Sequence, residues 1–161
     1  MSDEIARLLD GAARGLEDAR MSEIIYPRSA RETMAGWAYL PRLVDKVRLF
    51  LAGKLHADYQ ENFAYKGFDA KWLAVAGVPP EQFISVVRGC VTDGQVCDWV
   101  RENVQKTAEE KTAFNAAVLN YGSEGDEVKA RLKWRKEQAG LGAREDIQSF
   151  VDFIDADEKR I

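Results

Sequence analysis

The sequence predicts a single all-α domain of eight or nine short helices that pack irregularly. Apolar residues recur at three- and four-residue spacing along most of the chain, and the strict alternation typical of half-buried strands is missing. The length of 161 residues, the 46% hydrophobic content and the four prolines fit one ordinary globular domain. The predicted helices are too unequal in length for a regular bundle.

Residues 1–25 are predicted to form a helical extension that packs on a domain of residues 26–161. The extension carries an apolar stripe of Ile5, Leu8, Leu9, Ala12 and Leu16. Its start, MSDE, is acidic where a secretory signal needs positive charge, and no apolar run approaches the length of a membrane span. We therefore expect a cytoplasmic protein that has no membrane contact.

One helix is predicted before Pro41 and another one is predicted to begin with it. Ser29 and Glu32 have the spacing of a capping box, which predicts a short helix over about residues 30–37. Pro41 cannot donate a backbone hydrogen bond, so we expect the chain to break there and restart with this proline in the first turn of the next helix. That helix should end at Gly53.

Further cap and stop signals predict the helices that follow. Asp69 is the expected N-cap of a helix that Gly77 ends, and Pro80 lies at the start of the next one. Thr92 and Gln95 form a second predicted capping box. The last three helices are expected over about residues 108–121, 124–139 and 146–154.

The largest deviation from an even distribution of charge is a basic segment, residues 28–54. It carries a charge of +4, although the whole chain carries −4. Helix starts expose amide donors and arginine presents a planar fork, and together these groups suit a carboxylate or phosphate. The candidate residues of an anion site are Arg28, Arg31, Arg42, Asp45 and Lys46. Spacing of this kind is also typical of a surface ladder of ion pairs, which is the alternative interpretation.

Possible proton carriers form the second candidate site. His56, the single histidine, lies close to Asp58 and Tyr59, and such a cluster can transfer protons near neutral pH. An exposed loop histidine without a chemical role is the alternative. No second histidine or cysteine lies at ligand spacing, so the sequence predicts no metal and no cofactor.

Nucleic-acid binding is not expected. Five basic residues between positions 129 and 136 surround Trp134, but nearby acidic residues nearly cancel their charge. A solvent-facing helix with many ion pairs is the preferred interpretation.

Cys90 and Cys97 are interpreted as reduced thiols, with a single disulfide as the alternative.

The motifs of the basic segment form a distinctive pattern. Its fixed residues are Arg28, Ser29, Arg31 and Glu32, followed by Leu40, Pro41, Arg42, Asp45, Lys46, Arg48, Leu51, Ala52 and Gly53. This pattern resembles a bacterial family known as domain of unknown function 5069, and further matches extend the resemblance over most of the chain after Tyr26. The resemblance implies a compact helical domain and no assigned activity. Ala35 and Gly36 stand where the family pattern has two glycines.

Two classes of function follow from these observations. The first is a non-enzymatic module that binds an anionic small molecule or an acidic partner surface through the basic segment. The alternative is a small-molecule enzyme that uses Asp45, His56, Asp58 or Tyr59 in acid/base roles beside an arginine anchor. The sequence leaves open the ligand, the oligomeric state and whether catalysis occurs.

Overall fold

The computed structural model describes Arg7 and residues 24–161, and it confirms the predicted all-α class. Residues 24–161 form eight helices, preceded by a hairpin of two antiparallel strands, β1 (Thr33–Met34) and β2 (Trp37–Ala38). The helices are α1 (Leu40–Leu51), α2 (Ala57–Gln60), α3 (Gly67–Ala76), α4 (Pro80–Arg88), α5 (Asp93–Asn103), α6 (Ala108–Leu119), α7 (Asp126–Gln138) and α8 (Phe150–Asp157). The stripe predicted for residues 1–25 lies outside the described residues.

Several helix boundaries follow from the signals in the sequence. Pro41 lies in the first turn of α1, and Pro80 is the first residue of α4. Gly77 caps α3 with a φ of 70°, the left-handed conformation that ends many helices. The predicted capping box is confirmed, because the Gln95 amide donates to Thr92 Oγ1 at 3.3 Å and the Gln95 side chain accepts from the Thr92 amide at 3.2 Å.

The hairpin replaces the short helix predicted over residues 30–37, so that prediction is wrong. Ala35 and Gly36 have φ values of 51° and 82°. A two-residue hairpin turn requires this left-handed conformation, and a right-handed helix cannot continue through it. Ser29 does not cap a helix; its hydroxyl donates to both carboxylate oxygens of Asp155, at 2.8 and 3.0 Å.

Two other boundary predictions are wrong. Asp69 lies inside the first turn of α3, where Lys66 is the N-cap residue, and its side chain is completely buried. The last helix begins at Phe150 rather than near residue 146, because Ser149 and Asp152 form a capping box at that point.

The hydrophobic core surrounds α1. The fully buried apolar side chains of this helix include Leu40, Leu43, Val44 and Val47. Trp37 of the hairpin makes edge-to-face contacts with Trp72 and Phe114, with ring centroids 6.0 and 5.4 Å apart. The indole N–H groups of Trp37 and Trp72 are buried and have no hydrogen-bond partner within the described residues. These contacts fix the hairpin against α3 and α6 beside the start of α1.

None of the described helices combines the length and the hydrophobicity needed to cross a bilayer. Cys90 and Cys97 are free thiols.

Candidate functional site

A concave pocket of about 420 Å³ opens where α1, α2, α3, α7 and α8 meet. We call it the central pocket, and it is large enough for a small-molecule ligand. Its lining residues are Tyr39, Arg42, Lys46, Asp58, Tyr59, Asn62, Lys66, Gly67, Phe68, Lys71, Tyr121, Arg131, Arg135, Phe150, Phe153 and Ile154. Six of these residues are cationic, one is acidic and most of the others are apolar or aromatic.

A buried lysine and carboxylate pair lies at the base of the central pocket. The Lys46 ammonium on α1 lies 3.2 and 3.3 Å from the two carboxylate oxygens of Asp69 on α3. Tyr39 donates its hydroxyl to Asp69 at 2.5 Å, and the same hydroxyl lies 3.3 Å from Lys46 Nζ. Burial lowers the pKa of Lys46 even though the charge of Asp69 opposes this change. Burial raises the pKa of Tyr39, so its hydroxyl keeps its proton near neutral pH.

Two residues with a left-handed backbone contact this pair. Tyr39 and Ala64 have φ values of 72° and 62°, although neither is glycine. A left-handed residue with a Cβ costs roughly 1–2 kcal/mol. The Ala64 amide donates to Asp69 at 2.9 Å, and Asp69 also accepts from Tyr39. Asp69 therefore holds both strained residues in place.

A second buried ion pair lies beside the first. Arg42 donates to the two oxygens of Glu158 at 2.9 and 2.6 Å, and both side chains are only 3% exposed. Tyr59 donates to Glu158 at 2.6 Å. Burial raises the pKa of Glu158, but the hydrogen bonds and charge of Arg42 outweigh it and the pKa is lowered overall. Burial and Glu158 both raise the pKa of Tyr59, which makes Tyr59 a hydrogen-bond donor rather than a base.

Aromatic rings form one wall of the central pocket. The ring of Tyr121 lies between Phe68 and Phe150, with centroids 5.5 Å from each. Lys71 Nζ lies 3.4 Å from the centroid of Tyr121, and Arg131 donates to the Tyr121 hydroxyl at 2.7 Å. The negative faces of the rings attract these two cations and orient them over the wall.

Four exposed cations surround the mouth of the pocket: Lys66, Lys71, Arg131 and Arg135. We call them the rim cations. None of them forms an ion pair with a carboxylate of residues 24–161. Within the part of the chain that the structure describes, no carboxylate lies at ion-pair distance from these four cations.

The other residues of the predicted anion site lie outside the central pocket. Arg28 donates to Asp45 through Nε and Nη2, both at 3.0 Å, and through Nη1 to Asp93 at 2.9 Å. Arg31 pairs with Asp152 and a second aspartate of α8. These pairs fasten the start of the basic segment to α1, α5 and α8. Of the five predicted residues, the structure brings only Arg42 and Lys46 to the pocket, and anion binding at the other three stays a prediction.

The predicted proton carriers are divided in the same way. Asp58 and Tyr59 line the central pocket, whereas His56 is not among its lining residues and Asp45 pairs with Arg28. His56 caps α2, because the Asp58 amide donates to its Nδ1 at 3.3 Å. Asp58 is 82% exposed at the pocket mouth.

Sequence reasoning missed most of the pocket wall, including Phe68, Lys71 and Tyr121. One signal was present, because Arg131 and Arg135 are four residues apart and therefore share a face of α7. The many ion pairs expected on α7 are not found: Lys133 with Glu137, at 4.0 Å, is the one pair formed there within the described residues. The described residues also contain no group of three or more His, Cys, Asp or Glu side chains placed to hold a metal ion.

Comparison with known families agrees with the motifs of the basic segment. No curated protein matches the chain. A family model described as Domain of unknown function (DUF5069) matches residues 24–160, which is most of the chain. The chain therefore belongs to the DUF5069 family.

Proposed function

We propose that this protein binds an anionic small molecule in the central pocket. The observation that carries the proposal is the charge of the lining, which has six cations and one carboxylate on a chain of net charge −4. Two of the six cations are already neutralised by buried carboxylates: Arg42 pairs with Glu158, and Lys46 pairs with Asp69. Among the residues that line the pocket, one carboxylate, Asp58, then remains to offset the four rim cations, and a bound anion would balance them.

The pocket suits a ligand that has both an acidic and an apolar part. Arg131 presents a planar fork that matches a carboxylate or a phosphate, and Lys71 adds a compact point charge. Phe68, Tyr121 and Phe150 offer apolar surface beside these cations. A volume of about 420 Å³ accommodates a small organic acid or a phosphate ester.

The concave shape favours a small molecule over an acidic protein surface. The cationic groups line a pocket formed by five helices, and a protein partner would need a projecting acidic segment to reach its base. The proposal keeps one of the two ligand classes that the sequence predicts, the anionic small molecule. The main ligand contacts now come from the rim cations instead of the basic segment. Arg42 and Lys46 belong both to the predicted anion site and to the lining of the central pocket.

The test measures the melting temperature with inorganic phosphate, citrate or phenyl phosphate. At least one anion should raise the melting temperature by mass action, and added sodium chloride should reduce the gain. Replacing Arg131 and Arg135 together with Gln should abolish the gain, because Gln keeps helix propensity but removes the charge.

The matched control replaces Arg88 and Arg101 with Gln. Both are exposed helical arginines outside the central pocket, and the double change removes the same charge. This control should respond to the anion as the wild type does. Equal responses in both double variants, or no response of the wild type to any of the three anions, would contradict the proposal.

A further inference from the structure

We propose that Lys46 is a nucleophilic amine that forms an imine with the carbonyl group of a small oxo acid bound in the central pocket. The inference rests on the proposed anion binding, because the rim cations would hold the acid group of this ligand. It adds a covalent step and a class of ligand to that function.

The position of Lys46 differs from that of a purely structural ion pair. Asp69 is completely buried beneath the pocket, whereas Lys46 and Tyr39 line it. A ligand in the pocket therefore contacts Lys46 and Tyr39, and both of these side chains bind the buried carboxylate of Asp69. The Lys46 side chain is only 7% exposed, which shields its amine from bulk water.

The surrounding backbone is held in a costly conformation. Tyr39 and Ala64 are both left-handed, and both donate hydrogen bonds to Asp69. Strain of this kind collects where the exact placement of a functional group matters. Here the Tyr39 hydroxyl donates to Asp69 and lies 3.3 Å from Lys46 Nζ.

The electrostatic surroundings of Lys46 favour its reactive form. Burial is the main cause that lowers the pKa of Lys46. The charge of Arg42 also lowers this pKa, whereas Asp69 and Glu158 oppose the change without reversing it. Only the neutral amine is a nucleophile, and a buried lysine beside another cation is a recognised way to obtain it. Asp69, in contact with Nζ, can take the proton that the ammonium releases.

The reaction balances without an oxidant or a reductant. The Lys46 ammonium gives a proton to Asp69, Nζ bonds to the carbonyl carbon, and the electron pair of the C=O π bond moves to oxygen. A proton passes from nitrogen to that oxygen through the Tyr39 hydroxyl, which lies close to both Nζ and Asp69. Asp69 then returns its proton by the same route, the C–O bond breaks, and water leaves. The net change is ammonium plus carbonyl compound to protonated imine plus water.

Reductive trapping tests this step on the whole protein. Wild-type protein is incubated with glyoxylate and sodium cyanoborohydride, which reduces an imine to a stable secondary amine, and the labelled lysines are mapped by peptide mass spectrometry. Near neutral pH Lys46 should be labelled faster than Lys66 or Lys71, because burial lowers the pKa of Lys46 and so enlarges the unprotonated fraction of its amine. Those two lysines line the same pocket but are exposed, so they are internal controls.

Two further measurements sharpen the result. Lys46→Arg keeps a positive charge at this position but has no primary amine that could form the imine, so it should lose the label. Propanal lacks an acid group and should label Lys46 more slowly than glyoxylate does, relative to Lys66.

Preferential labelling of Lys66 or Lys71, or no labelling at all, would overturn the role of Lys46. This conclusion stands even if the Lys46→Arg variant does not fold, because the wild-type map decides it. If anions still raise the melting temperature in that case, the proposed binding survives without the covalent step. If Lys46 is labelled but propanal reacts as selectively as glyoxylate, the oxo acid is the wrong ligand class.

Discussion

The basic segment and the rim cations contain the same residue types and use them in opposite ways. Arg28 and Arg42 of the basic segment each donate to carboxylates within 3.0 Å, and the Arg42 pair is almost completely buried. Arg131 and Arg135 of the rim are exposed and have no carboxylate partner within residues 24–161. An excess of charge in the sequence therefore marked a segment whose arginines form ion pairs inside the fold, while the pocket cations that form no ion pair within residues 24–161 come mainly from other helices.

The largest effect that this comparison predicts is the loss of the buried pair. Arg42→Gln would leave Glu158 buried with only part of its hydrogen bonding, and the free energy of unfolding should fall by about 3 kcal/mol. The same change on the rim, Arg135→Gln, should have little effect. Urea denaturation of both variants measures the difference, and similar losses in the two would contradict the contrast between the regions.

The same pair predicts how stability depends on pH. Although burial raises the pKa of Glu158, Arg42 brings it below the ordinary value of 4.5 in the folded protein. A carboxyl group whose pKa is lowered by folding stabilises the protein above that ordinary value, and the stabilisation is lost as the pH falls through the folded pKa. The stability gap between wild type and Arg42→Gln should therefore narrow below pH 4.5. Denaturation curves from neutral pH downward test this, and a gap that stays constant in acid would be inconsistent with it.

An uncharged donor in the basic segment provides the next largest effect. Ser29 donates to both carboxylate oxygens of Asp155, and Asp155 is only 3% exposed. Ser29→Ala should therefore lower the free energy of unfolding. We expect a loss of about 1 kcal/mol, which is typical of a hydrogen bond to a buried group.

A double-mutant cycle with Asp155→Asn identifies the source of that loss. The cost of Ser29→Ala should shrink when Asp155 is already changed, because the two residues interact directly. Ser85→Ala, at an exposed position of α4, is the control and should change stability very little. An undiminished cost in the Asp155→Asn background would show that Ser29 acts through other contacts.

The parts of the fold that the sequence predicted correctly depend on local signals. Pro41 sets the start of α1, and the spacing of Thr92 and Gln95 sets the start of α5. The hairpin was missed because Ser29 and Glu32 have capping-box spacing while distant contacts decide the structure. The Ala38 amide donates to Asn115 at 2.8 Å, a contact across 77 positions that no local pattern reveals.

The candidate site was predicted only in part for the same reason. Arg42, Lys46, Asp58 and Tyr59 lie within one stretch of sequence and were identified, although Arg42 and Lys46 already have carboxylate partners. The aromatic wall and the rim cations come from α3, α7, α8 and the residues around them, so only the folded arrangement brings them to one pocket. Asp69 shows most clearly what local sequence patterns miss. Its position in the sequence indicated a helix N-cap, but in the fold it is the buried ion-pair partner of Lys46.

The smallest predicted effect concerns the rim itself. Replacing Arg131 and Arg135 together with Gln should change the free energy of unfolding by less than about 0.5 kcal/mol. Both side chains are exposed, neither forms an ion pair within the described residues, and the hydrogen bond from Arg131 to Tyr121 is itself exposed. Without a ligand the change should be slightly stabilising, since it relieves repulsion among neighbouring cations. Added sodium chloride should stabilise the wild type more than this variant, because salt screens a repulsion that the variant has already lost. The Arg88 and Arg101 double variant is the control for general salt effects. A loss above about 1 kcal/mol in the Arg131 and Arg135 variant would show that these arginines support the fold as Arg42 does, and the distinction between the two regions would no longer hold.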